Sequence, residues 1–181
     1  VVVSGKRIGR RNVRVPEEVF NEMREVGGSI VAVRRATDGQ FNIVQDHPLN
    51  RRWDAYSQIS LDREILGVRQ VYGTFGNCAG GVTPWNTILT CEENYADFIG
   101  DISYVSKGKT TRQTRNPPLG WNQVLNVHPQ HYGWVVEINP YTGETQKRTA
   151  MGRFAHECAK VVVHSSSGRC AVYSGDDTVG G

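Results

Sequence analysis

One internal repeat constrains this chain more tightly than its composition does. Phe75–Val82 aligns with Phe154–Val161 at an offset of 79, and each copy opens a strand that a turn sends back as a second strand ending in two acids. Those acids, Glu92-Glu93 and Asp176-Asp177, are 84 positions apart, and the difference falls in a longer turn over His164 to Arg169. In an antiparallel hairpin the start of one strand lies beside the end of its partner. Cys78, its repeat equivalent Glu157, and the acids Glu92, Glu93, Asp176 and Asp177 are therefore predicted to share one rim.

A second, weaker repeat relates Gly28 to Gly133 at an offset of 105 and Gly39 to Gly143 at 104. Ser29 to Arg34, the turn Thr37-Asp38-Gly39 and a return strand from Phe41 to Val44 read as a hairpin. Gly133 to Ile138 with a return from Thr145 reads as another. Only one helix is legible. Pro16 stands at a first-turn position, Glu17 and Glu18 suit the positive end of the dipole, Val19, Met23 and Val26 form a stripe, and Gly27-Gly28 is the stop. Hairpin modules at long offsets predict an all-β, β-propeller-like fold with an incomplete set of blades and one short helix near the N-terminus. Residues 1–26 read as a basic arm plus that helix, and 27–181 as a partial propeller. An aperiodic insertion spans about 107–129, with Trp121 as its anchor.

Composition narrows the class of partner. At 181 residues, 38% hydrophobic and 22% charged, the chain is neither a disordered polar segment nor a coiled coil. Its apolar runs are far shorter than the roughly 20 residues of a membrane span. The net charge is +3, and the only dense basic run, Lys6, Arg7, Arg10, Arg11 and Arg14, has no interleaved aromatics. That reads as a solvated arm and not a nucleic-acid surface. Cys78, Cys91, Cys158 and Cys170 contain no CxxC pair, so a zinc ribbon is excluded, and three disulfide pairings stay open. No Walker, GxSxG or HExxH motif occurs.

Singly, the rim residues are ordinary: a small buried cysteine, a solvated strand end, a turn, and in His156 a hydrogen-bonded structural histidine. Together they are not. Clustered carboxylates repel unless cations neutralise them. Oxygen ligands suit Ca2+ or Mg2+, whereas a thiolate calls for iron or zinc, so a mixed site with more than one metal is expected. Gly80, Gly81 and Gly175 are expected to let backbone approach it closely.

The run Asn77-Cys-Ala-Gly-Gly-Val-Thr-Pro-Trp-Asn-Thr-Ile-Leu-Thr-Cys-Glu-Glu-Asn94 resembles the signature of the PhoX-type calcium-dependent alkaline phosphatases. Gly27–Val31, Gly133–Pro140, Gly152–Glu157 and Tyr173–Asp177 fit the same family in the same order. The resemblance implies an exported enzyme, periplasmic or secreted, with a propeller built around Ca2+ and Fe3+. It also implies an iron thiolate from Cys78, with carboxylate ligands from Glu93, Glu157 and one of Asp176 or Asp177, and Glu92 as a further candidate. The substrate implied is a phosphomonoester. Because family members are several hundred residues long, the chain is expected to be a piece of a larger propeller. The alternative reading is a non-catalytic propeller scaffold holding structural calcium.

Overall fold

The computed structural model describes residues 6–8, 11–105, 109–113 and 117–178. Arg10 of the basic arm, Arg115 and Asn116 of the expected insertion and the terminal Gly180-Gly181 lie outside the described residues, as do the side chains of Lys6, Arg7, Arg11 and Arg112. The described part starts with the antiparallel strand pair β1 (Lys6–Ile8) and β2 (Arg11–Val13), followed by α1 (Pro16–Glu25). Four short strands come next: β3 (Gly28–Ile30), β4 (Val33–Arg35), β5 (Phe41–Ile43) and β6 (Arg51–Trp53). Then come β7 (Gln58–Ile65), β8 (Val68–Tyr72), β9 (Asn77–Val82), β10 (Ile88–Glu92) and α2 (Tyr95–Ile99). The remainder holds β11 (Ile102–Val105), β12 (Lys109–Gln113), β13 (Val135–Ile138), β14 (Thr145–Arg148), β15 (Lys160–Val163) and β16 (Cys170–Tyr173).

The expected all-β class holds as a mostly β-strand chain with two helices, in open sheets with no closed barrel among the described residues. One six-stranded sheet has the order β8-β7-β14-β13-β10-β9, antiparallel except where β14 meets β7. The other described strands form pairs, not a ring of four-stranded blades. Two expectations are corrected by α2 and by the pairing of β3. Five residues are too few to show helical periodicity, so α2 left only its stop, Gly100, at φ 82° with its N–H on Ala96 O. The strand read as Ser29 to Arg34 is broken in two, β3 pairing with β6 and β4 with β5. The segment 107–129 read as an insertion holds β12 and a 3-10 turn at Trp121–Gln123, and a second 3-10 turn, Pro129–His131, begins at its end.

Helix α1 buries Val19 and Met23 against an aromatic core of Phe75, Phe98, Trp121 and Tyr132. Phe75 is central, with ring centroids 5.3 Å from Phe98, 5.2 Å from Trp121 and 4.4 Å from Tyr132, spacings at which aromatic edges and faces attract. Trp121 is fully buried and its Nε1–H donates to Glu22 Oε2 at 2.7 Å. Glu22 Oε1 accepts from Arg14 at 2.5 Å, and the Arg14 side chain is only 1% exposed. Arg14 is thus a buried structural cation and not part of a solvated arm.

Strand β13 lies between β10 and β14, and all four of its residues are buried, as a central strand requires. Its one acid, Glu137, is compensated by Trp85 Nε1–H at 2.7 Å, Thr87 Oγ1–H at 2.5 Å and Arg148 Nε–H at 2.6 Å. Desolvation pushes the Glu137 carboxyl up, but the bonds from Thr87, Trp85 and Arg148 and the Arg148 charge outweigh it and hold it below the ordinary range. The stabilisation it contributes is therefore present above the usual carboxyl pKa and is lost as pH falls through the depressed value. Glu137→Gln should lower stability at pH 7 by about 1–3 kcal/mol and flatten the acid limb of the stability profile. Urea unfolding at pH 7 and at about pH 4 checks this, and an unchanged acid limb would remove Glu137 from the account.

Candidate metal centre

The two repeated hairpins are the same structure, register for register. In the first, Gly81 faces Leu89 and Gly80 faces Thr90, then Asn77 faces Glu92, so Cys78 and Ala79 stand opposite the single residue Cys91. In the second, Lys160 faces Tyr173 and His156 faces Asp176. Glu157, Cys158 and Ala159 there stand opposite Ser174 and Gly175, again one residue in excess. Each hairpin thus carries a β-bulge, the device that bends a strand and re-aims a side chain, and the bulges fall at Cys78 and Glu157. The bonds beyond them match too. Glu93 N–H donates to Gly76 O at 2.9 Å, and Asp177 N–H donates to Ala155 O at 3.1 Å. The Gly28/Gly133 repeat has no such equivalence, because β4 and β5 pair in a different register from β13 and β14.

Three carboxylates converge at this rim. Oxygen atoms of Glu93, Glu157 and Asp177 lie within 4.8 Å of one another. Glu93 is half-buried and the other two are exposed. None of the three makes an ion pair among the described residues. Three like charges at that separation with no cationic side chain suit a hard cation with oxygen ligands. The Cys78 thiol is exposed and lies close enough to Glu93 and Glu157 to feel their charges. A backbone bond at Ala79 favours its thiolate, but desolvation and the charges of Glu93 and Glu157 together raise its pKa.

Glu92 and Asp176 point elsewhere. Glu92 is fully buried; its Oε2 accepts from Gly133 N–H at 3.0 Å and Trp134 N–H at 3.1 Å, and its Oε1 accepts from Lys147 Nζ at 2.7 Å. It is not among the carboxylates that the fold brings together at the rim. Asp176 Oδ1 instead accepts from Thr178 N–H at 3.0 Å and Thr178 Oγ1–H at 2.6 Å. His156 is buried with both ring nitrogens engaged, by Ser174 Oγ at 2.8 Å and Gly152 O at 3.0 Å. All four cysteines are free thiols. Burial, with the thiols of Cys158 and Cys78 and the Glu92 charge, raises Cys91 to about 12.

Sequence reasoning missed Lys147. It sits in the polar run Thr145–Arg148, where nothing marks one cation as buried. Gly80 and Gly81 do not bring backbone to the cluster: a side chain at Gly80 would strike the backbone of Leu89, and one at Gly81 the backbone of Ala159, so these two serve strand packing. Gly175 alone faces the cluster.

The family profile described as alkaline phosphatase PhoX matches residues 7–181. Among solved structures, Pseudomonas fluorescens PhoX in complex with vanadate, a transition state analogue, is 32% identical with a TM-score of 0.72. The match covers 91% of this chain and 33% of that one, so the chain spans about a third of that protein's length. No curated protein matches.

A Cβ at Gly175 would stand 2.5 Å from Glu157 Oε2. The atom displaced is the end of a flexible side chain, so Gly175→Ala should leave the thermal midpoint within a few degrees. If the three carboxylates hold a hard cation such as Ca2+, the substitution should nevertheless weaken that binding by about tenfold or more, as is usual when a ligand's support is disturbed. Calorimetric titration with Ca2+ beside a thermal melt tests this, and unaltered affinity would place Glu157 outside the site.

Proposed function

Because the chain belongs to the alkaline phosphatase PhoX family, we propose that it forms part of a metal-dependent phosphatase that hydrolyses phosphomonoesters at a mixed Ca2+ and Fe3+ cluster. Glu93, Glu157 and Asp177 serve as carboxylate ligands and Cys78 as the thiolate ligand to iron. The observation that carries this reading is the convergence of three carboxylates, with no cationic partner among the described residues, beside an exposed thiol. Held by these residues, the ions would supply Lewis-acid neutralisation of the phosphate and leaving-group oxygens and would make water nucleophilic at neutral pH. The residues themselves act by charge and position. Glu93 and Asp177 are held by their backbone N–H groups, Glu157 by its own N–H on Gly175 O at 3.1 Å, and none is required to move a proton. The vanadate in the Pseudomonas fluorescens structure supports a phosphate ester as the substrate class. An exported location, periplasmic or secreted, belongs to the same reading.

Glu157→Gln keeps shape and hydrogen-bonding reach but removes a charge, so it should lower metal occupancy and aryl phosphate turnover together, turnover by about a hundredfold. Glu144→Gln, in the exposed turn between β13 and β14, should alter neither. Chelation should abolish hydrolysis at alkaline pH and added Ca2+ restore it, because calcium's oxygen ligands exchange readily. Elemental analysis and steady-state rates decide the matter. Calcium without iron, with Cys78 freely alkylated and no turnover, would establish the scaffold instead. Full turnover by Glu157→Gln at unchanged metal content would move the site elsewhere.

A further inference from the structure

We propose that Glu92, with Lys147 as its counter-ion, is a positioning residue that sets the spacing of the carboxylate cluster without touching what the cluster binds. The inference rests on the reading of Glu93, Glu157 and Asp177 as metal ligands. Glu92 closes a circuit of hydrogen bonds that joins the two repeated hairpins. Its Oε2 accepts from Gly133 N–H at 3.0 Å; Gly133 O accepts from Phe154 N–H at 3.3 Å; and His156 N–H returns to the main-chain carbonyl of Glu92 at 3.3 Å.

Each cluster residue hangs directly from this circuit. Glu93 follows Glu92, Glu157 follows His156, and Asp177 donates its N–H to Ala155 O, between Phe154 and His156. A shift of Gly133 relative to Glu92 therefore displaces both hairpins' acids relative to each other. Lys147 keeps the Glu92 carboxylate in place. It is fully buried, its Nζ donates to Glu92 Oε1 at 2.7 Å and His131 O at 3.0 Å, and it lies 4.1 Å from the Tyr132 ring centroid. Positions of this kind, one bond removed from a ligand, govern affinity through ligand geometry.

The test compares two neutral pairs. Glu92→Leu with Lys147→Met removes one charge of each sign, so long-range attraction for a cation is unchanged, and it removes the tie to Gly133. Glu92→Gln with Lys147→Met also removes both charges but leaves a carbonyl oxygen to accept from Gly133 and Trp134. Titrated with Ca2+, the Leu/Met chain should bind about tenfold to a hundredfold more weakly than the unsubstituted chain, and the Gln/Met chain within about threefold. Equal affinity of the Leu/Met and unsubstituted chains would overturn the proposal. Failure of the unsubstituted chain to bind Ca2+ would instead sink the metal-ligand reading. Should the Leu/Met chain not fold, reciprocity supplies the second measurement. If the circuit positions the ligands, Ca2+ must stabilise the circuit in return. Amide exchange at Gly133, Trp134 and His156 of the unsubstituted chain should then slow at least about threefold on Ca2+ addition. Slowing confined to Glu93, Glu157 and Asp177 would overturn the proposal.

Discussion

The ion pair between Lys147 and Glu92 is the constraint on which the arrangement of the sheet's functional edge depends. Both side chains have zero exposure, and removing one charge of such a pair costs about 3–5 kcal/mol because the other is left uncompensated. Desolvation draws the Lys147 ammonium below its usual range, with Glu92 pulling the other way. Compensation is nearly complete: Lys147 finds a carboxylate oxygen, a carbonyl and an aromatic face, and Glu92 finds an ammonium and two backbone N–H groups. These partners come from β14, from β10 and from the segment leading into β13. The pair can form only when all three are in register, so its burial acts as a condition on the fold and not as a surplus of stability.

The duplicated hairpin shows how one backbone design serves two purposes. Asn77 and His156 are equivalent, as are Glu92 and Asp176, and the bridging pairs they form are the same. Their side chains have diverged. Glu92 turns inward to a buried cation, while Asp176 turns to the backbone and hydroxyl of Thr178. What the two copies share is the bulge and the acid that follows it across the strand pair. Where the bulge carries cysteine in one copy, it carries glutamate in the other, which brings a soft and a hard donor to the same rim.

The equivalence of the two hairpins could be read from the sequence because the same residue spacing recurs in each. The offsets of 79 and 84 predict that the pairing in one hairpin recurs at equivalent positions in the other, and Asn77–Glu92 and His156–Asp176 are such a pair of pairs. Helix α1 was legible from its proline, its acids and its stripe. The parallel contact of β14 with β7 was not, since it joins residues such as Gln146 and Ser60 that share no local pattern. Lys147 was invisible for a related reason: burial of a cation is decided by what lies across the sheet and not by its neighbours in sequence. The choice within each acid pair was half legible. Successive strand residues face opposite sides, so only one of Glu92 and Glu93 can enter the cluster, but that rule does not say which.

That alternation also explains why the cluster stays unneutralised beside a buried lysine. Lys147 lies on the face of β10 to which Glu92 turns, and Glu93 turns away from it. In the second hairpin Asp176 takes the donors of Thr178, and Asp177 turns the other way, towards Glu93 and Glu157. Each acid pair is divided by the strand's own geometry into one member that the protein satisfies and one that it does not. The satisfied members fix the backbone. The unsatisfied members, with Glu157 raised to them by the second bulge, leave a concentration of negative charge that no described side chain offsets, the kind of donor set that suits a hard cation.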